Sequence, residues 1–458
     1  MKITSDKPNM INSTQKVLKK IDSESSTTTS RSTNFPTCIE LQKVHYPNTS
    51  PYLSFLSPLP HLQSRSVFAS METQNQLAET KIPQELLQFS CLPDEIIIEI
   101  LLRLPVKSLL KFRCVSKSWL SLLSTPYFIN TQIKFSVKKS KNVNLRLVIV
   151  ASVSGLMGKM CSVYSLDYEN SSVNVDKIDY PLKTPFRSAK FLGSCNGLIC
   201  LTPMSFKLMI WNPVTGKHKE FQDSFVQCAV NCYIRYGFGY DHVNDDYKMV
   251  KIFSFPRNEG KYENKVKIYS LKDDSWKMGE GFGSGYVNAQ TGMCLNGYLH
   301  WEVNHCHDSG GGGGSGACSE IMTLDLAMET YGVMALPSCG NGSTSWSLSV
   351  LNGCLVACCN YEPDRTDMWV MKEYGVEESW TKLVSNLTAP PGRLGYVSPL
   401  SVSENGGEVL VRLGTNISLY NARNASHESL DIHSLGYCLQ VQAITYNESL
   451  ASPNVGDT

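Results

Sequence analysis

The stretch that most constrains this chain is 92–119, LPDEIIIEILLRLPVKSLLKFRCVSKSW. Ile96, Ile97, Ile100, Leu101 and Leu104 recur there at helical spacing, so one face of the helix is almost wholly aliphatic. Pro93 fits the first turn, where its missing N–H is not needed. Asp94 and Glu95 place negative charge at the positive end of the helix dipole, and Pro105 ends the helix. The pattern predicts a second helix over 106–112 and a third over 115–123. Three helices this short cannot bury that much apolar surface among themselves. Either the rest of the same chain covers it or a partner does, and periodicity leaves both open.

From about residue 129 the character changes. Short runs of Val, Ile, Leu, Tyr and Trp alternate with Gly, Asn, Asp and Ser, the pattern of an all-β sandwich, barrel or propeller. The strands VYSL, IWNP, IYSL, TLDL, WVMK and LYNA look alike. Within them Tyr164, Trp211, Tyr269, Leu324, Trp369 and Tyr420 recur at intervals of 45 to 58 residues, the length of a kelch-type blade. Asn-Gly pairs, strong hairpin signals, stand at 196–197, 296–297, 352–353 and 405–406, each followed by strand-like residues. A four-stranded blade cannot cover both of its faces, but a closed ring of blades can. A propeller is therefore expected over an irregular sandwich.

A length of 458 residues allows one large or two modest domains. A formal net charge of +1 argues against a nucleic-acid or acidic-membrane partner found through bulk charge. No apolar run reaches the length of a membrane-spanning helix, and residues 145–156 read as a buried strand. The sixteen cysteines are scattered, with no C-x-x-C. Buried reduced thiols in a cytoplasmic or nuclear protein account for them better than a secreted disulfide scaffold. Residues 1–89 are rich in Ser, Thr, Asn and Lys and read as disordered. Asp6, Asp22 and Glu24 argue against a transit peptide. Met71 stands a short distance before Leu92, so Met1 and Met71 are both candidate starts.

Two segments carry a family resemblance. The Leu-Pro opening at 92–93, the acidic first turn, the Leu-Pro stop at 104–105, the RCVSKSW run and the STPYF exit resemble an F-box. The resemblance implies docking onto a Skp-type adaptor, and through it onto the cullin and RING subunits of a ubiquitin ligase. By matching position, the implied adaptor contacts are Leu92, Pro93, Ile96, Ile100, Leu104, Pro105, Leu109, Val115 and Trp119. Further on, GSCNGLICL, WNPVTGKHKEF, YGFGYDHVNDDYKMVKI, KIYSLKDDSWK and LNGYLHWEV resemble the F-box-associated domain of plant F-box proteins. Two departures stand out. His242 replaces a Pro, which should loosen its turn, and Phe221 stands where Leu-Pro is usual. The implied chain is α+β: a disordered extension over 1–89, a three-helix F-box over 90–135, a kelch-like β-propeller over 136–445 and a disordered tail over 446–458.

Catalytic signatures are missing. There is no nucleophile elbow, no H-E-x-x-H and no Walker P-loop. The glycine run 310–314 has His305, Cys306, His307 and Cys318 around it, but structural zinc needs rigidly held ligands. Asp241, Asp245 and Asp246 lack the spacing of a calcium loop and suit a turn between strands. No catalytic residue, metal or cofactor is assigned. The expected function is a non-catalytic substrate receptor: the F-box binds the Skp-type adaptor and the β domain holds a target protein for ubiquitination and degradation. The alternatives are a Skp-bound scaffold with no degradative role, or a propeller enzyme or small-ligand receptor that carries an F-box. For the target surface, Trp346 is favoured, at the edge of a Gly- and Ser-rich loop, because Trp is enriched at binding hot spots.

Overall fold

In a computed structural model of the chain, the described residues are 93–454, apart from short internal segments. The longest of these are 140–144, 182–189, 223–231, 306–317, 389–396 and 431–439. The predicted extension 1–89, Leu92 and most of the glycine-rich loop lie outside the described residues. Gln88–Thr458 is one compact unit.

Four helices come first: α1 (Asp94–Leu102), α2 (Val106–Phe112), α3 (Lys117–Ser124) and α4 (Pro126–Lys139). Sequence spacing predicted the first three. The fourth was missed because its sequence, PYFINTQIKFSVKK, is weakly amphipathic and begins with Pro, which reads as an exit signal but also suits a first helical turn.

The rest is β. Among the described residues the strands form six antiparallel units in chain order, each of four strands, with one short extra strand, Tyr286–Val287, in the fourth: 145–177 with Gln440–Asn447, then 190–222, 233–279, 286–334, 343–388 and 397–429. We number them blades 1 to 6. The innermost strands are Gln440–Asn447, Lys190–Cys195, Tyr233–Asp241, Thr291–Leu295, Ser343–Leu351 and Val397–Val402. Each touches the next, and the last touches the first. The ring is closed by the C-terminal strand, which pairs with Leu145–Gly155 to complete blade 1. Apolar clusters fill the spaces between successive blades, for example Val356, Met368, Val409 and Tyr420 between blades 5 and 6.

The period seen in the sequence marks one strand per blade. Tyr164, Trp211, Tyr269, Leu324, Trp369 and Tyr420 all lie on the third strand of their blades. Trp211, Tyr269, Leu324 and Tyr420 are buried between blades. The Asn-Gly pairs at 196–197, 296–297 and 352–353 join first to second strands in blades 2, 4 and 5, with positive φ at both residues, as tight hairpin turns require. The pair at 405–406 lies outside the described residues. Blades 3 and 4 are joined more closely, through parallel pairing of Thr291 and Gly292 with Tyr236 and Gly237. Trp301 occupies the space where side chains would stand at Gly237 and Gly292, and its indole N–H donates to the Tyr236 carbonyl at 3.1 Å.

Two expectations are corrected here. The tail is not disordered through 454: residues 448–454 pack against the protein, with Leu450 and Ala451 buried. They do so because Leu450 inserts among the helices while Ala451 joins the core of blades 2 and 3. Nor does His242 loosen its turn. Asp241 does what a proline would, its Oδ1 accepting from the backbone N–H groups of Val243 and Asn244. Phe221, the other departure, stacks on Tyr269 with ring centroids 4.2 Å apart.

Candidate functional site

The helices are set by local chemistry. Pro93 and Pro105 each precede a helix in extended conformation, so both starts are fixed by the backbone. Ser116 caps α3, its hydroxyl accepting from the Trp119 N–H at 3.1 Å. Thr125 links α3 to α4, donating to the Leu122 carbonyl and accepting from the Phe128 N–H. Inside lie Leu101, Leu102, Val106, Leu109, Leu123 and Phe128, with Phe112 set edge-to-face on Trp119 at 5.2 Å.

The implied adaptor contacts divide. Pro93, Ile96, Ile100, Pro105 and Val115 are exposed, and Leu104 and Trp119 are half-buried against the helical core. Leu109 is a correction: its side chain is fully buried, because α2 turns that face toward α1 and α3, so it supports the surface without belonging to it. Two exposed apolar residues were missed, Leu120 (46 % exposed) and Tyr127 (69 %). Leu120 was legible as the residue after Trp119 on a predicted helix. Tyr127 belongs to the helix that the sequence reading missed.

The unit's inner side is locked to the ring. Asn212, from the WNPVTGK turn of blade 2, accepts through Oδ1 from the N–H groups of Val214 and Thr215. Its amide Nδ2 donates to the carbonyls of Ser449 and Ala451, at 3.0 and 2.8 Å. Ser449 in turn donates to the Asn196 carbonyl at 2.6 Å. The tail is therefore clamped between the helices and the hairpin turns of blade 2.

Successive strands of a blade run in opposite directions, so turns alternate between the two faces of the ring. The first turns of blades 2 to 5 open toward the helices. Asn130, Ile133 and Lys134 of α4 line a cavity together with the Asn-Gly turns at 196–197, 296–297 and 352–353. A second cavity, about 720 Å³, lies farther along the axis and is lined by Lys190, Gln290, Arg412 and Gln442 among others. Both include Ser194, Cys294, Val350 and Thr445, so the two cavities adjoin within the ring's central channel.

The remaining candidates resolve into structural roles. Trp346 is a correction: it does not edge a loop but sits half-buried within Ser343–Leu351, paired with Cys359 and packed on the core between blades 4 and 5. Its backbone N–H serves the buried carboxyl of Glu302. Asp241 is ion-paired with Lys248 at 2.9 Å. Burial alone would raise the Asp241 carboxyl, but hydrogen bonds from Asn244 and Lys248 hold it below the usual carboxylate range. Asp245 accepts from the Tyr240 hydroxyl and Asp246 from the Lys272 N–H. His305 meets Glu320 at 2.6 Å, whereas Cys306 and His307 lie outside the described residues.

A helical unit with exposed apolar residues, clamped to a six-bladed ring, has the architecture of an adaptor. The comparisons agree. Residues 89–131 match the F-box domain family, and residues 153–450 match the F-box associated beta propeller domain family. The chain is 32 % identical over 370 residues to the F-box/kelch-repeat protein At3g23880 of Arabidopsis thaliana, covering 79 % of this chain and 96 % of that one. It is 29 % identical to the F-box protein CPR1 of the same plant, covering 70 % and 79 %, and 30 % identical to the F-box protein At4g22390, covering 75 % and 84 %. This chain belongs to the plant F-box proteins that carry an F-box-associated β-propeller. In general terms it is a substrate-recognition adaptor of the Skp–cullin–F-box type, its F-box the part that binds a Skp-type adaptor.

Proposed function

We propose that the chain docks a Skp-type adaptor through Pro93, Ile96, Ile100, Pro105 and Val115, with Leu120 and Tyr127 extending the contact, and that its propeller presents a target protein for ubiquitination and degradation. The observation that carries this reading is the exposure of Ile96, Ile100, Val115, Leu120 and Tyr127 on a unit whose inner side is already occupied by the chain's own tail. Exposed apolar residues on a rigid support suit a partner's apolar surface.

The chain contributes no reacting group in this reading. Its contribution is proximity: a tethered target lysine meets the ubiquitin thioester, held by other subunits, at a raised effective concentration. The rigid clamp at Asn212 and Ala451 serves that role, since a loosely hinged propeller would dilute the effect. With the helices over one face of the ring, the other face is the one left for a target.

The test is co-purification of the full chain with a Skp-type adaptor and cullin. Wild type should capture both, and the double variant Ile96→Asp, Ile100→Asp should capture neither while keeping its melting temperature. Capture by the double variant at the wild-type level would refute the docking surface. Target turnover in cells that is indifferent to the same variant would favour the non-degradative scaffold.

A further inference from the structure

On the face of the ring turned away from the helices, the second cavity is the mouth of the central channel among the described residues. Its lining among the described residues contains two cations, Lys190 and Arg412, and several amides and hydroxyls, including Gln290, Thr291, Gln442 and Ser194. It contains no carboxylate. Lys190 opens the inner strand of blade 2, and Arg412 comes from the second strand of blade 6.

Arg412 is held in place. Its guanidinium donates to the Gly414 carbonyl at 3.2 Å and to the Ser398 hydroxyl at 2.8 Å. Two of five N–H groups are spent in this way, which leaves donors for a ligand. Lys190 forms no ion pair with a carboxylate among the described residues. Burial lowers the affinity of its amine for a proton, and the like charge of Arg235 lowers it further. Arg235 itself is engaged, with Nε donating to the Val287 carbonyl and a terminal nitrogen to the Tyr286 hydroxyl. Partly desolvated cations gain most from an incoming anion.

We propose that the channel mouth on this face is a binding site for an acidic peptide segment, and that a carboxylate of the target protein enters between Lys190 and Arg412. The proposal rests on the target-receptor reading and names the chemistry of its target. Charge complementarity fixes the occupant: the lining holds Lys190 and Arg412 and, among the described residues, no carboxylate. Beside the mouth, Tyr233, Tyr262 and Tyr286 form an aromatic cluster with centroids 4.8 to 6.3 Å apart, and Tyr233 is exposed. Residues that flank the acidic position on the target would have this surface to pack on.

The experiment uses the full chain and a fluorescein-labelled octaglutamate peptide, with octalysine and inorganic phosphate as comparison probes, read by fluorescence anisotropy. Octaglutamate should bind saturably and more weakly as salt is raised, while octalysine should not bind. Lys190→Glu should weaken octaglutamate binding at least tenfold, and Lys190→Gln should weaken it less, each with an unchanged melting temperature. No octaglutamate binding by wild type, or equal binding by wild type and Lys190→Glu, would overturn the proposal. So would phosphate binding without peptide binding, which would make the mouth a small-anion site. Adaptor capture is scored on the same preparations. Normal capture without octaglutamate binding rejects this inference alone, whereas octaglutamate binding without capture rejects the receptor reading.

Discussion

The side-chain amide of Asn212 donates to the backbone carbonyl of Ala451 at 2.8 Å, across 239 residues of sequence. The same amide reaches the Ser449 carbonyl, and both bonds are buried. One residue of the family's WNPVTGK turn therefore fastens the C-terminal tail, and Leu450 beside it completes the helical core. Asn212→Ala should cost about 2–3 kcal/mol, because two buried carbonyls lose their donor. Asn212→Asp should cost at least as much, since its carboxylate cannot donate to them. Urea unfolding of both variants checks this, and an Asn212→Ala protein as stable as wild type would show that the clamp is incidental.

Leu109 and Ile100 make opposite predictions although both were read from the sequence as adaptor contacts. Leu109 is fully buried, so Leu109→Ala should lower stability by about 2–5 kcal/mol through the cavity it leaves. Ile100 is 46 % exposed, so Ile100→Ala should change stability by less than about 1 kcal/mol. Adaptor affinity should fall for Ile100→Ala at temperatures where it is fully folded. Unfolding curves paired with adaptor titrations separate the two, and a stable Leu109→Ala protein that fails to bind would return Leu109 to the interface.

Trp346→Ala should act on the fold. The ring packs between blades 4 and 5, and the backbone N–H serving Glu302 stays in place only while the strand does. A loss of about 2–3 kcal/mol is expected for a half-buried Trp. Octaglutamate and adaptor binding should persist below the lowered melting temperature. Impaired peptide binding by a variant of unchanged stability would place Trp346 at the recognition surface after all.

The sequence made the third strand of each blade legible because an aromatic or Leu recurs there every 45 to 58 residues, and Trp211, Tyr269, Leu324 and Tyr420 fill gaps between blades. The Asn-Gly turns were legible because few other pairs tolerate positive φ at both positions. The clamp could not be read this way. Asn212 and Ala451 are distant in sequence, and an Asn in a turn looks the same whether its amide meets water or a buried carbonyl. Of the docking surface, the family resemblance named the apolar positions but not which of them face inward. Leu109 and Ile100 are equally aliphatic, and only the packing of α1, α2 and α3 against one another tells them apart. The channel mouth left no signal at all, since Lys190 and Arg412 come from different blades.

His300 and Glu302, two apart on the second strand of blade 4, give stability a pH dependence from both sides. Glu302 is 1 % exposed. Burial pushes its carboxyl up to about 7, while hydrogen bonds from Asn288 and the Trp346 N–H pull it partly back. Burial draws His300 down to about 4, partly opposed by its hydrogen bond to the Met293 carbonyl. Its Nδ1 donates to that carbonyl at 3.0 Å, which leaves Nε2 to accept from the Tyr374 hydroxyl at 2.8 Å, the arrangement of a neutral ring. The folded value of Glu302 lies above its ordinary 4.5, so its contribution is present below 4.5 and lost as pH rises through about 7. The folded value of His300 lies below its ordinary 6.5, so its contribution is present above 6.5 and lost as pH falls through about 4. Glu302→Gln removes the first loss and keeps an oxygen to accept from Asn288. Its advantage over wild type should be small near pH 5 and grow to about 3 kcal/mol near pH 8.5. Urea unfolding at the two pH values measures the difference, and an advantage that does not grow with pH would mean that Glu302 ionises in the folded protein as readily as in water.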